Sequence, residues 1–106
     1  MAKLIWTEPA LHDLDAIADY IAIDNPSAAK DLVRRVFAHV AQLIKQPESG
    51  SYPPELGKSR YKQIVEPPCR IFYRYDGRYI FILDVIRGEK LFRKSHLISR
   101  DNQAEA

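Results

Sequence analysis

The chain has few of the residues that mark several common classes of protein. Its 106 residues include a single cysteine, Cys69, which excludes an internal disulfide and a cysteine-based zinc site. No apolar run approaches the roughly 20 residues that a membrane span needs, and no signal peptide precedes Trp6. Metal-ligand spacings, glycine-rich phosphate loops and Ser/His/Asp arrangements are also missing. We therefore expect a cytoplasmic domain with no metal, no cofactor and no contact with a membrane.

Charge is almost balanced overall but unevenly distributed. The formal net charge is +2, from 16 basic and 14 acidic residues, which is too small to identify a nucleic-acid-binding protein. Aspartates crowd the first third of the chain, whereas the segment from Lys58 to Arg100 is basic. This distribution directs the search for function to the C-terminal half.

Local signals predict a short strand, two helices and three further strands. Thr7-Glu8-Pro9 and Asn25-Pro26 each place a capping side chain before a proline, which is typical of a helix start. Helices joined this tightly should lie antiparallel. A connection at 47–59, rich in proline, glycine and serine, leads to strands at about 60–66, 70–75 and 79–87. Helical character is expected to return around Glu89 to Leu97.

These elements predict a single α+β domain over residues 1–98. The antiparallel helical hairpin should pack on one face of an antiparallel sheet, which the N-terminal strand and the three-stranded C-terminal meander complete. From the count of chain directions, the first strand should pair antiparallel with the second or the fourth. Residues 99–106 are polar and are expected to form a disordered tail.

The pair Asp76-Gly77 between two β-forming runs predicts a hairpin with a two-residue type I′ turn. The register would then pair Tyr75 with Arg78 and Arg70 with Leu83. One face of this hairpin, which we expect the helices to cover, would carry Ile71, Tyr73, Ile80, Ile82 and Ile86. The other face would carry Arg70, Phe72, Arg74, Tyr79, Phe81, Leu83, Val85 and Arg87.

The second face should remain open, and its mixture of apolar and cationic side chains suggests a partner that covers it. Guanidinium groups on adjacent strands can converge on a phosphate or a carboxylate. An ordinary solvated sheet face, or a basic edge strand that prevents aggregation, would explain the same residues. The candidate binding residues are Lys58, Arg60, Lys62, Arg70, Phe72, Arg74, Phe81, Arg87, Lys90 and Arg93.

Few residues are candidates for catalysis. His12 and His39 fall on helices without a second ligand nearby, and we interpret them as surface or packing residues. His96 could act as a general acid, but no neighbouring carboxylate in the sequence orients it. Arg70, Arg87 and His96 are the catalytic candidates.

The order and spacing of these segments resemble the RelE/ParE superfamily of toxins from bacterial type II toxin–antitoxin systems. The likeness covers about residues 3–95 and is carried by Ile5 to Ala10, Leu14, Tyr20-Ile21, Pro26, Ala28-Ala29, Pro54 to Gly57, Arg70 to Arg74 and Ile82 to Arg87. It implies a small toxin that inhibits growth and is neutralised by a cognate antitoxin.

Two activities are associated with this scaffold. RelE-like members enter the ribosome and cleave mRNA, commonly with a C-terminal tyrosine or histidine, whereas ParE-like members poison DNA gyrase. Arg70 and Arg87 match positions that are basic in RelE-like members, but no tyrosine follows Tyr79 in this chain. The resemblance therefore favours gyrase as the target. A ribosome-dependent mRNA endonuclease is the alternative, and a basic binding module without toxicity is a third possibility.

Overall fold

The computed structural model describes residues 1–88 and 90–104. Along the chain it contains β1 (Lys3–Trp6), α1 (Glu8–Asp24), α2 (Pro26–Ala41), a 3₁₀ turn (Gln42–Ile44), β2 (Tyr61–Glu66), β3 (Cys69–Tyr75), β4 (Tyr79–Arg87) and α3 (Lys94–Ala104). The strands form one mixed sheet in the order β1-β4-β3-β2. Within the described residues, no helix is both long and apolar enough to cross a lipid bilayer.

Both predicted helix starts are confirmed. The Thr7 hydroxyl accepts a hydrogen bond from the Ala10 N–H at 3.4 Å, and the Asn25 side chain accepts one from the Ala28 N–H at 3.0 Å. The Thr7 hydroxyl also donates to the Ile82 carbonyl at 2.6 Å, which ties the start of α1 to β4. The two helices cover the face that was expected, because Ile71, Tyr73, Ile80 and Ile82 share one core with Leu14, Leu32, Val36 and Val40.

The turn between β3 and β4 differs from the predicted type I′ turn. Tyr75 pairs with Ile80, and the Asp76 N–H donates to the Tyr79 carbonyl at 3.1 Å, so that Gly77 and Arg78 form the loop. Gly77 has a φ of +94°, and no other residue of this turn has a positive φ. The Asp76 carboxylate accepts hydrogen bonds from the N–H groups of Arg78 and Tyr79 at 2.9 and 2.7 Å, which keeps Asp76 at the base of the loop.

A β-bulge at Leu83 changes which side chains share a face. Tyr73 pairs with Ile82 but Phe72 pairs with Asp84, so Leu83 is an extra residue in β4. Beyond the bulge the alternation is reversed. Val85 belongs to the core beneath α1 and α2, and Ile86 belongs to the core on the opposite side, so the predicted positions of both residues were wrong.

The pairing of β1 was also predicted wrongly, because β1 lies parallel to β4. The direction count assumed that the connection after α2 leads straight into the meander. Instead, Ser51 pairs antiparallel with Gln63 of β2, so the connection first runs back along that strand. The chain then turns through residues 53–57, where Gly57 has a φ of +63°, and enters β2. This additional reversal sets the direction of the whole meander.

The second face of the sheet is covered, contrary to the expectation that it would be open. Helix α3 lies on it, and Leu97 packs in a core with Tyr61, Phe72, Leu83 and Ile86. Residues 99–104 of the expected disordered tail are therefore helical, whereas Glu105 and Ala106, like Glu89, lie outside the described residues. The sequence of the tail is polar even at a position that faces the sheet. That position, four residues after Leu97, is Asp101, whose buried carboxylate forms an ion pair with Arg74.

Candidate functional site

Arg70 lies on the second face but is engaged within the fold. Its Nη1 and Nη2 atoms donate to the two carboxylate oxygens of Glu55 at 2.8 and 2.7 Å, and its Nε donates to Gln63 Oε1 at 2.9 Å. The guanidinium also lies over the Phe72 ring, 5.0 Å from its centroid. The hydrogen bonds from Arg70 lower the pKa of Glu55. Because the Arg70 side chain is 15% exposed, its charge acts on the connection between the 3₁₀ turn and β2, residues 45–60, more than on solvent.

Arg74 is neutralised beneath α3. Its Nε donates to Asp101 Oδ1 at 2.7 Å, and both side chains are almost fully buried. Tyr61 donates to the other oxygen of Asp101 at 2.8 Å, and Arg60 Nη2 lies 3.6 Å from that oxygen. Burial, together with the bond to Asp101, raises the pKa of Tyr61 to about 12. This network fixes α3 to the sheet.

The remaining cationic candidates do not converge on this face. Lys58 and Arg60 are exposed, but Lys62 points to the other side of β2 and donates to the carbonyl of Glu48 at 3.3 Å. Arg87 lies on the α1 side, with its guanidinium 5.1 Å from the centroid of the Tyr20 ring. The expected convergence of Arg70, Arg74 and Arg87 is therefore wrong, because the bulge turns Arg87 away.

Of the two aromatic candidates, Phe72 is fully buried and Phe81 is half-buried beneath Arg74.

A cluster that the sequence analysis missed joins α1, β4 and α3. Arg100 donates to both carboxylate oxygens of Asp13 at 2.8 and 2.9 Å and to the Leu83 carbonyl at 3.0 Å. The Val85 N–H donates to Asp13 at 3.1 Å, and an oxygen of Asp84 lies 3.5 Å from Arg100 Nη1. One signal was present in the sequence, because Asp84 is an acid inside an otherwise apolar strand, and acids are rarely buried without a partner.

The two carboxyl groups of this cluster have pKa values displaced in opposite directions. Burial, reinforced by a hydrogen bond with Asp13 and by the charge of Asp13, raises the pKa of Asp84 to about 7. Burial also acts to raise the pKa of Asp13, but the hydrogen bonds from Arg100 and Val85 outweigh it and lower that pKa. Asp84 therefore changes its charge near neutral pH while Asp13 stays ionised.

His96 lies beside this cluster, in the wall of a cavity. Its Nε2 atom lies 3.7 Å from an oxygen of Asp84, so the fold supplies the carboxylate that the local sequence lacks. Burial and the charge of Arg100 lower the pKa of His96. The two side chains line a cavity of about 300 Å³ whose walls also include Ile86, Lys90, Leu91, Phe92 and Arg93. Among the described residues, no group of three His, Cys, Asp or Glu side chains could hold a metal ion.

Comparison with known proteins decides the family. The family model of the ParE toxin of the type II toxin–antitoxin system, parDE, matches residues 4–92. The chain belongs to the ParE toxin family. This ParE-family toxin is 37% identical over 92 residues to Toxin RelE2 of Caulobacter vibrioides, a match that covers 86% of the chain and 100% of that protein. It is 34% identical over 88 residues to Putative toxin Y4kP of Sinorhizobium fredii, with 83% and 90% covered.

A solved structure supports the same assignment. The chromosomal ParDE TA system from P. aeruginosa matches the toxin with a TM-score of 0.69 and 29% identity, over 84% of this chain and 98% of that one. The resemblance inferred from the sequence is thus confirmed, and family membership implies an antitoxin partner. Because the family model ends at residue 92, His96, Arg100 and Asp101 lie beyond the segment that it matches.

Proposed function

We propose that this toxin acts in the cytoplasm by poisoning DNA gyrase and that its cognate antitoxin neutralises it. The observation that carries the proposal is that the two arginines that match basic positions of RelE-like members do not meet in one site. Arg70 is held by the Glu55 carboxylate, and Arg87 lies on the α1 side of the sheet, over the Tyr20 ring. A guanidinium that forms a bidentate pair with a carboxylate has already used the donors that would bind a scissile phosphate. Lys58 and Arg60, which are exposed, are the candidates for contact with the target.

The position of Phe92 agrees with this proposal. In RelE-like members a catalytic tyrosine is expected in this region, whereas the Phe92 ring packs 5.1 Å from Phe72 and 5.8 Å from the guanidinium of Arg70. A phenylalanine cannot transfer a proton, and this one serves the core under α3. Both observations support a toxin that acts by binding rather than by cleavage.

A ribosome-dependent mRNA endonuclease is the second candidate, and the pairing of His96 with Asp84 favours it. Attack by a ribose 2′-hydroxyl on the adjacent phosphate needs one group that removes the hydroxyl proton and another that protonates the departing 5′ oxygen. Asp84, whose pKa is about 7, and His96 lie 3.7 Å apart in a cavity that also contains Lys90 and Arg93. These two cations could stabilise the phosphate during such a step.

Two assays on the purified toxin distinguish these candidates. We expect it to inhibit DNA supercoiling by gyrase and to leave a translation extract active, with the His96→Gln variant inhibiting gyrase as the wild type does. Translation arrest with cleaved mRNA, abolished by His96→Gln, would reject gyrase and support the endonuclease. A chain that is inactive in both assays and harmless when induced in cells would be the non-toxic binding module.

A further inference from the structure

Two cavities adjoin at the C-terminal end of β4. One is the cavity of about 300 Å³ that contains His96, and the other, of about 210 Å³, lies between α1 and β4 and includes Ile17 and Arg87 in its wall. Ile86 and Lys90 line both cavities. The two cavities therefore adjoin, and together we call them the β4-end groove.

The β4-end groove is cationic. Lys90 and Arg93 are exposed at its rim, and Arg87 lies in its wall. Of the acids in the described part of the chain, two face it. They add little negative charge, because Arg100 forms a bidentate ion pair with Asp13 and burial keeps Asp84 partly protonated near pH 7. A segment bound here would therefore meet a positive rim.

The β4-end groove also has apolar surface that the fold leaves in water. Leu91, in the wall of the larger cavity, is 73% exposed. The apolar side chain of Ile86 lines both cavities. Large apolar side chains that are exposed beside a cavity and surrounded by charges are characteristic of a protein-binding surface.

We propose that the β4-end groove binds an acidic segment of the cognate antitoxin, with carboxylates on Lys90 and Arg93 and a large apolar side chain in the cavity beside Leu91. This inference rests on the antitoxin partner of the proposed function. Charge and shape favour a peptide over single-stranded RNA, which needs open aromatic faces on which its bases can stack. Phe92, the aromatic residue of the larger cavity, already packs against Phe72 and Arg70.

Protection of single cysteines locates the bound antitoxin. Leu91→Cys and Ile23→Cys place thiols at two sites of similar exposure, 73% and 78%, one in the groove and one near the C-terminal end of α1, while the native Cys69 is buried. With saturating purified antitoxin, we expect maleimide labelling of the Leu91→Cys variant to slow at least about tenfold, as at a desolvated contact. Labelling of the Ile23→Cys variant should not change. Protection of Ile23→Cys alone would overturn the proposal.

Charge reversal tests the electrostatic part. The Lys90→Glu/Arg93→Glu variant should bind the antitoxin about 10- to 100-fold more weakly at low ionic strength, and the difference should shrink as salt is added. Arg34→Glu/Lys45→Glu introduces the same change at exposed positions away from the groove and should bind as the wild type does. Circular dichroism and thermal unfolding establish that each variant is folded.

The possible failures can be told apart. A groove variant that keeps wild-type affinity for the antitoxin overturns the groove alone, and it assigns the groove to nucleic acid if the variant also loses binding of a single-stranded oligouridine probe. A wild-type chain that binds the antitoxin through the groove but leaves gyrase active overturns the proposed target and not the groove. A wild-type chain that binds no antitoxin overturns both the neutralisation in the proposed function and the groove proposal that rests on it.

Discussion

At the level of single residues, Asp84 shows how strongly the surroundings of a side chain alter its chemistry. Its ordinary pKa of 3.8 rises to about 7 because the carboxyl is buried beside Asp13, whose own charge Arg100 maintains. The folded chain therefore holds a proton on Asp84 over a pH range in which the unfolded chain has released it. Such a difference makes the free energy of unfolding depend on pH.

The Asp84→Asn variant tests this linkage. Because the pKa is raised in the folded state, the stabilisation by Asp84 is complete below pH 3.8 and is lost as the pH rises to about 7. Over that range the wild type should lose up to about 1.4 kcal/mol of unfolding free energy per pH unit, and the variant should not show this decline. Urea unfolding at pH 5, 6, 7 and 8 measures the difference.

Two further variants make that measurement specific. The pKa of His96 is lowered, so protonation of His96 below its ordinary value destabilises the fold and acts in the opposite direction. His96→Gln should therefore steepen the decline attributed to Asp84. Asp15→Asn removes an exposed acid from the helix that carries Asp13 and should leave the profile unchanged. A His96→Gln variant whose stability is flat from pH 5 to 7 would contradict the assignment.

At the level of secondary structure, α3 supplies the cover that the sheet needs. Leu97 is fully buried in the core that contains Phe72 and Leu83, whereas its neighbour Ile98 is 38% exposed. The two positions therefore offer a matched pair of large apolar side chains in one helix.

We expect Leu97→Ala to lower the free energy of unfolding by about 2–5 kcal/mol, because it removes a buried side chain and leaves a cavity against the sheet. Ile98→Ala should cost about 1 kcal/mol or less, since a partly exposed side chain loses little burial. Urea unfolding at one pH compares the two. Equal costs would mean that α3 does not form the second core in solution.

Signals local in the sequence predicted the elements well, and contacts between distant residues accounted for the errors. The caps at Thr7 and Asn25 each bind an N–H three residues away, so a short stretch of sequence contains the whole interaction. The partner of Arg74 is 27 residues away, and that of Arg100 is 87 residues away. No local pattern marks such pairs, and for this reason the Asp13–Arg100 contact and the packing of α3 on the sheet were missed. The helical character expected around Glu89 to Leu97 is found at Lys94–Ala104 instead. The bulge at Leu83 was hidden because that residue is as apolar as Ile80, Ile82 and Val85 of the same strand.

For the whole molecule, the presence of helices on both sides of the sheet changes the role of its arginines. The sequence analysis placed Arg70 and Arg74 on an open surface, but in the three-layered fold they brace the 45–60 connection and α3. Of the cationic binding candidates, the exposed ones lie instead at Lys58, Arg60 and the rim of the β4-end groove. Recognition of the target and the antitoxin should therefore depend on the edges of the molecule rather than on the centre of the sheet.

The Arg70→Ala variant tests this distribution of roles. The substitution removes the ion pair with Glu55 and the packing over Phe72, and we expect it to lower the free energy of unfolding by about 1–3 kcal/mol. A domain whose stability is about 5–15 kcal/mol would remain mostly folded after that loss, so the variant should still inhibit growth when its abundance matches that of the wild type. Glu55→Ala breaks the same ion pair from the other side and provides the control. If Arg70→Ala abolishes toxicity while both variants are folded and Glu55→Ala is fully toxic, the guanidinium itself contacts the target, and the centre of the sheet must be exposed in the active toxin.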